Sequence, residues 1–219
     1  MLPRILEPEV MDSFAEAAEY DAMDFEEINT AFAKKAIALA PIAAKVLDAG
    51  TGTARIPIIA CQQCPKWQII GIDMAESMLD IGRKNVAAAG LQSQIILAKI
   101  DAKKLPYQDE EFDLVMSNSL IHHLPDPLPF FREIKRVVKA NGAILLRDLF
   151  RPDSEEIINK MVAKLGTECN EKQKKLFRDS LQAAFTLEEI QELVKAVDLP
   201  SVKVSQSSDR HWTAERSFI

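Results

Sequence analysis

Asp48, Gly50, Gly52 and Asp73 have the types and spacing of a ligand-holding turn. Residues 46–54 read Val-Leu-Asp-Ala-Gly-Thr-Gly-Thr-Ala, an apolar run that stops at small residues and continues as a helical pattern. At a strand-to-helix junction of this kind backbone can approach a ligand closely, because Gly50 and Gly52 carry no Cβ. Asp73 follows Gly52 by 21 residues, after the second apolar run Trp67-Gln68-Ile69-Ile70-Gly71-Ile72. In a doubly wound fold that is the place of an acid accepting hydrogen bonds from ribose hydroxyls. The third glycine of a Gly-x-Gly-x-x-Gly dinucleotide fingerprint would fall where the chain has Arg55, and no Gly-Lys-Ser/Thr ending follows Gly50. Pyrophosphate and P-loop chemistry are therefore disfavoured, and the absence of a Tyr-x-x-x-Lys pair speaks further against an NAD-dependent oxidoreductase. What remains is a turn for a ligand without phosphates, with Asp48 at the strand end able to attract a positive group.

S-adenosylmethionine carries a ribose, an ammonium and a sulfonium and fits that description. Three more motifs follow in order: Gly71-Ile72-Asp73-Met74 with Ser77-Met78-Leu79; Asp101-Ala102 with Leu105-Pro106-Tyr107; and Phe112-Asp113-Leu114-Val115-Met116-Ser117-Asn118 running through His122-His123-Leu124. Taken with the glycine turn, residues 46–148 resemble the class I, Rossmann-like S-adenosylmethionine-dependent methyltransferases, in their small-molecule type 11 branch. The chain departs from many members in having Ala54 in place of a third glycine. The resemblance implies that Asp48 helps to hold the cofactor ammonium, directly or through water, while Gly50, Thr51 and Gly52 close on the homocysteine end. It further implies that Asp73 takes the ribose diol, Met74 lies against the adenine, and Asp101 with the Ala102 amide reads the adenine edge. Asn118 would end a strand beside the reacting methyl, and Tyr20, in a segment folded over the cofactor, would supply an aromatic near it. The product would be S-adenosylhomocysteine, and no metal is expected.

The methyl acceptor is less constrained. Ser117-Asn118-Ser119-Leu120 lacks the Asn/Asp-Pro-Pro-aromatic sequence of amine-methylating enzymes, so a small organic acceptor, of the quinone, sterol or natural-product kind, is the expected partner. His122 and His123 lie just past the strand, where a base for a phenol or enol proton would be useful; a structural or cofactor-adjacent role is open for both. Arg147 and Asp148 could orient a polar acceptor or form a simple ion pair. The alternative is a protein that holds the cofactor without transferring methyl, as a subunit of a larger complex.

These residues require an α/β, doubly wound, mostly parallel seven-stranded sheet with helices on both faces and an antiparallel last strand. Alternating apolar runs and helical patterns place strands at 45–49, 68–72, 94–100, 112–117, 143–149, 201–207 and 210–218. Helices are expected at 75–89, closed by Gly90; from Asp126-Pro127 to Asn141-Gly142, with Leu128, Phe131, Ile134, Val137 and Val138 on its apolar face; and at 186–197. The chain reads as a single domain over 1–219. Residues 1–44 form a helical cover, with Tyr20-Asp21-Ala22-Met23-Asp24-Phe25 ahead of a helix carrying Ile28 and Phe32. Residues 45–150 are the cofactor-binding core. Residues 151–185 are two charged helical stretches that the resemblance makes a substrate lid, and 186–219 are the final helix and strand pair.

With 47% apolar and 27% charged residues the composition is that of a globular protein, and a net charge of −6 disfavours nucleic acid as the main partner. Lys172, Lys174, Lys175 and Arg178 interleave with Glu168, Glu171 and Asp179, as on a solvated helix face. No apolar stretch reaches membrane-spanning length, and the segment from Met1 to Glu7 lacks a signal-peptide core; a cytoplasmic location is expected. Cys61-x-x-Cys64 falls at a helix end before Pro65 rather than at a helix start, so the pair reads as incidental. Oligomeric state is not encoded in any recognisable pattern.

Overall fold

Residues along the central strands alternate between two apolar layers, which is what builds a sheet covered on both faces. In the computed structural model the chain is described over residues 2–7, 12–23, 25–166 and 169–219; Met1, Asp24 and Glu168 lie outside them. The strands are β1 (Lys45–Ala49), β2 (Gln68–Asp73), β3 (Ile95–Lys99), β4 (Phe112–Asn118), β5 (Val138–Leu149), β6 (Lys203–Gln206) and β7 (His211–Arg216). They form one seven-stranded sheet in the order β3-β2-β1-β4-β5-β7-β6. The first five run parallel, and β7 is antiparallel to both of its neighbours.

Helices α1 (Phe14–Asp21), α2 (Glu26–Leu39), α3 (Arg55–Gln63) and α4 (Glu76–Ala88) precede β3, and α5 (Leu128–Val137), α6 (Glu155–Ala163), α7 (Glu171–Ala183) and α8 (Leu187–Ala196) follow β4. Val46, Ile69, Leu114, Met116 and Leu145 pack with Phe32 and Ala36 of α2, Ala60 and Cys61 of α3 and Val86 of α4. Their neighbours Leu47, Val115, Ile144 and Leu146 point the other way, onto Phe131 and Ile134 of α5 and Ile190 of α8. A third, smaller cluster joins Leu149, Ile158, Leu181 and Ala184 to Leu2, so the N-terminal residues and α6–α7 share a core of their own.

The expected helix from Asp126 to Gly142 is shorter, and its last residues belong to the sheet. Asp126 does act at its start, accepting from the Leu128 amide at 3.0 Å. The helix stops at Val137, and Val138 pairs with Phe112 as the first residue of β5. The register then jumps to Leu114 opposite Ala143, so residues 139–142 bulge out of the strand. The bulge closes tightly around Gly142, whose added Cβ would stand 2.8 Å from Val138 Cγ2 and 3.1 Å from the Lys139 and Phe112 carbonyl oxygens. Arg216 braces it, donating from Nε to the Gly142 carbonyl at 2.8 Å and from Nη2 to that of Lys139 at 3.2 Å. Helical spacing thus continues past the point where sheet pairing takes the β-branched Val138.

On α7 the basic residues are paired: Lys174 with Glu171 at 3.0 Å, Lys175 with Asp179 at 2.5 Å and Arg178 with Glu155 at 3.0 Å. Among the described residues no helix is long and apolar enough to cross a membrane.

Candidate functional site

The carboxyl ends of β1–β5 bring the chemistry-bearing residues to one edge of the sheet, the side on which open α/β sheets hold ligands. The glycine turn is fixed there by backbone: the Gly50 and Thr51 amides both donate to the Ile72 carbonyl at 2.9 Å. Gly50 and Gly52 adopt φ of 75° and 54°, and Ala54, at the start of α3, takes 63°. The departure from glycine at Ala54 thus falls on a left-handed position, which an L-residue occupies at a cost. A Cβ on Gly50 would meet Leu120 Cβ at 2.9 Å, whereas one on Gly52 would meet nothing within 4 Å. The turn is therefore pressed onto the β4 loop at Gly50 and faces open space at Gly52.

Both carboxylates of the site are held by this geometry. Asp73 accepts from the Gly52 amide through one oxygen and from the Ala75 amide through the other, each at 2.9 Å. Asp48 is 2% exposed and has no cation paired with it among the described residues. Burial pushes its carboxyl up to about 7, with the Thr51 hydroxyl pulling down and the Asp73 charge adding to the rise.

The N-terminal helix reaches this turn. Asp21, the last residue of α1, receives Arg55 in a two-pronged pair, Nε at 2.9 Å and Nη2 at 2.7 Å, and Asn85 Nδ2 at 3.1 Å. Asn85 also donates to the Thr53 carbonyl at 3.0 Å, so α1, α3, α4 and the turn meet at one knot. Tyr20 precedes it, 42% exposed and in ring contact with Phe25 at 5.5 Å. Its phenol is nevertheless held above the usual tyrosine range, first by burial and then by the charges of Asp73 and Asp21. Met74 stands exposed next to Asp73, and Ala102 is buried after β3. Burial would raise the Asp101 carboxyl, but the Lys103 ammonium and amide, both at 2.9 Å, hold it below the usual range.

At the ends of β4 and β5 a second group assembles. Asn118 Oδ1 accepts from Arg147 Nε at 3.0 Å, and the Arg147 guanidinium lies 5.2 Å from the Phe32 ring centroid. Asp148 does not pair with its neighbour Arg147; it turns to His122, Oδ1 to Nδ1 at 2.6 Å, and also accepts the His122 and Leu149 amides at 3.0 and 2.7 Å. Burial works against both charges of this pair, but mutual attraction wins: the imidazole is held above its usual range and the carboxyl below. The His123 ring lies tilted against that of His122, centroids 3.9 Å apart, and contacts Glu7 Oε2 through Nδ1 at 2.5 Å.

Glu7 and Arg4 carry no signal in the sequence. Arg4 donates from Nε to Ala183 O at 2.6 Å, from Nη1 to Pro125 O at 3.0 Å, and from Nη2 to the His122 and Leu124 carbonyls at 2.9 and 2.8 Å. This strap lies more than a hundred residues from its partners in sequence and has no local motif, so only the fold reveals it. Cys61, buried in α3 with its thiol pushed up to about 12 by burial first and by Cys64 second, is the opposite of a reactive thiolate. Open grooves are lined by Val194, Leu199 and Val204, and by Glu26, Thr30 and Lys34.

Residues 47–146 match the family model described as a methyltransferase domain. A demethylmenaquinone methyltransferase of Bacteroides fragilis is 32% identical over 109 residues, 50% of this chain and 44% of that protein. The chain spans less than half the length of the curated relatives it matches. Among solved structures, a candidate S-adenosyl-L-methionine-dependent methyltransferase of Methanococcus maripaludis superimposes with a TM-score of 0.74 at 20% identity, covering 98% of each chain. The 4+2 cyclase SpnF superimposes with a TM-score of 0.62 at 18% identity, over 93% of this chain and 64% of that one. Those two likenesses concern the fold. Residues 47–146 thus carry the likeness to the methyltransferase domain family, on a seven-stranded sheet whose order is β3-β2-β1-β4-β5-β7-β6.

Proposed function

We propose that the protein is an S-adenosylmethionine-dependent methyltransferase for a small organic acceptor, releasing S-adenosylhomocysteine. The observation that carries this reading is Asp48, a buried carboxyl without a cation among the described residues, beside a glycine turn that opens to solvent at Gly52. A buried unpaired carboxylate is costly, and an ammonium placed there by a ligand removes the cost. The residues present fit the cofactor. Gly50, Thr51 and Gly52 would close on its amino-acid end, and Asp73, with each oxygen accepting one amide, keeps lone pairs for a ribose diol. Met74, Asp101 and the Ala102 amide would take the adenine, with Tyr20 covering the cleft.

When bound, the cofactor supplies a methyl on a sulfonium, which is reactive without further activation. The chain's own work is alignment and exclusion of water. Asn118, held by Arg147, and the His122–His123 turn, held by Asp148, would lie on the β4–β5 side of the cofactor and orient the acceptor's polar group. The name of the B. fragilis relative supports an acceptor of quinone type. A single domain over 1–219, with 1–44 as cofactor cover, 45–150 as core, 151–185 as substrate lid and 186–219 as final helix and strand pair, completes the proposal.

Thermal denaturation with S-adenosylhomocysteine, S-adenosylmethionine and NAD tests the cofactor. Stabilisation by the first two alone is expected, about 2.7 kcal/mol at a hundredfold excess over Kd; no shift with either overturns the proposal. A second reading, cofactor held without methyl transfer, is supported by the presence of a cyclase on the same fold. Transfer of a labelled methyl group to any member of an acceptor panel would reject it.

A further inference from the structure

We propose that Glu7, His122 and His123 form a binding site for one divalent transition-metal ion, of the zinc kind, at the junction of the N-terminal strap and the β4 loop. One ligand atom from each of the three lies within 4.8 Å of the other two. Two imidazoles and a carboxylate are a donor set suited to zinc or a neighbouring first-row ion, and three protein ligands leave a position for water or an anionic oxygen.

The surroundings are those of a metal site rather than of a chance cluster. A metal-binding histidine characteristically gives its other ring nitrogen to a carboxylate, which fixes ring and tautomer. His122 does this, with Nδ1 on Asp148 at 2.6 Å and its backbone amide on the same carboxylate at 3.0 Å, so Nε2 is left to bind. Metal-binding carboxylates are themselves hydrogen-bonded; Glu7 Oε1 accepts from Ser180 Oγ at 2.5 Å. The strap that delivers Glu7 is held independently of any ion, by the four donations from Arg4 and by the Ile5 amide on the Gln182 carbonyl at 3.1 Å. The charges also close: Glu7 and Asp148 together balance a dication when both imidazoles are neutral. Both imidazoles bind as neutral ligands, so metal binding displaces whatever protons their ligating nitrogens carry in its absence. Nothing in the sequence around His122 suggests the site, because the third ligand comes from 115 residues upstream.

The test uses the full chain, treated with chelator, dialysed, and titrated with Zn2+ by calorimetry and with Co2+ by visible absorption. One ion per chain is expected, with Co2+ bands free of thiolate charge transfer. Glu7→Gln and His123→Gln should each weaken binding at least about tenfold, and Ser180→Ala about tenfold through the carboxylate it supports. Cys64→Ser and Cys169→Ser should change nothing. Glu7→Gln should keep the wild-type unfolding temperature and the wild-type stabilisation by S-adenosylhomocysteine, which separates this site from the cofactor reading. Absence of saturable binding, binding unchanged in Glu7→Gln, or binding abolished by the cysteine substitutions would each overturn the proposal.

Discussion

Asp48 combines two properties that pull in opposite directions, and both can be measured. Its carboxyl is raised from an ordinary 3.8 to about 7 in the folded protein, so between those values the folded state holds a proton that the unfolded chain has lost. Its contribution to stability therefore falls as pH rises across that window. In urea unfolding the advantage of Asp48→Asn over wild type should grow between pH 5 and pH 8 by on the order of a few kcal/mol, given about 1.4 kcal/mol per unit. The same substitution should remove the cofactor's ammonium partner: S-adenosylhomocysteine should bind wild type more tightly at pH 8 than at pH 6, and the variant weakly at both. Asp73→Ala should weaken that binding about tenfold to a hundredfold by calorimetry, the loss of one or two charge-assisted hydrogen bonds. At this scale the sequence is informative wherever residue type and spacing are themselves the signal, as for Asp48, Gly50, Gly52 and Asp73. It is silent on Glu7, whose neighbours His123 and Ser180 are assembled by tertiary packing alone.

Elements with a two-residue or 3.6-residue period are legible in the chain, and their junctions are less so. The edges of β1, β2 and β4 follow from apolar runs ending at small or acidic residues, whereas the end of α5 does not, because Val137 and Val138 suit either a helix face or a strand. Sheet pairing with Phe112 decides it. Arg55, the residue that spoils a dinucleotide fingerprint, also holds two elements together, since its two-pronged pair with Asp21 fastens α1 to the helix that follows the glycine turn. Arg55 is half exposed, so the pair adds at most about 1 kcal/mol to global stability. Its effect should be local. Asp21→Asn is expected to leave the unfolding midpoint nearly unchanged while amide hydrogens of residues 14–21 exchange faster, with exchange mass spectrometry as the readout.

For the whole molecule, the buried His122–Asp148 pair joins the two ends of the stability profile. Asp148 is held below 3.8, so its contribution is present above the ordinary carboxylate range and lost as pH falls through the lower folded value. His122 is held above 6.5, so its contribution is complete below that value and lost as pH rises through the higher folded one. Asp148→Asn should cost about 3–5 kcal/mol, because it leaves a buried imidazolium without its counter-charge; urea unfolding at pH 5.5 would measure it. The placement of β7 bears on a different matter, the order in which the fold can be completed. It is the last strand in chain order, yet it sits between β5 and β6 and seats the wholly buried Trp212 against the sheet. During synthesis every parallel strand emerges before it, so the nascent chain carries β5 with a bare edge and an unfilled tryptophan slot until residues 211–216 arrive. That interval is when this protein is most exposed to pairing with the wrong edge.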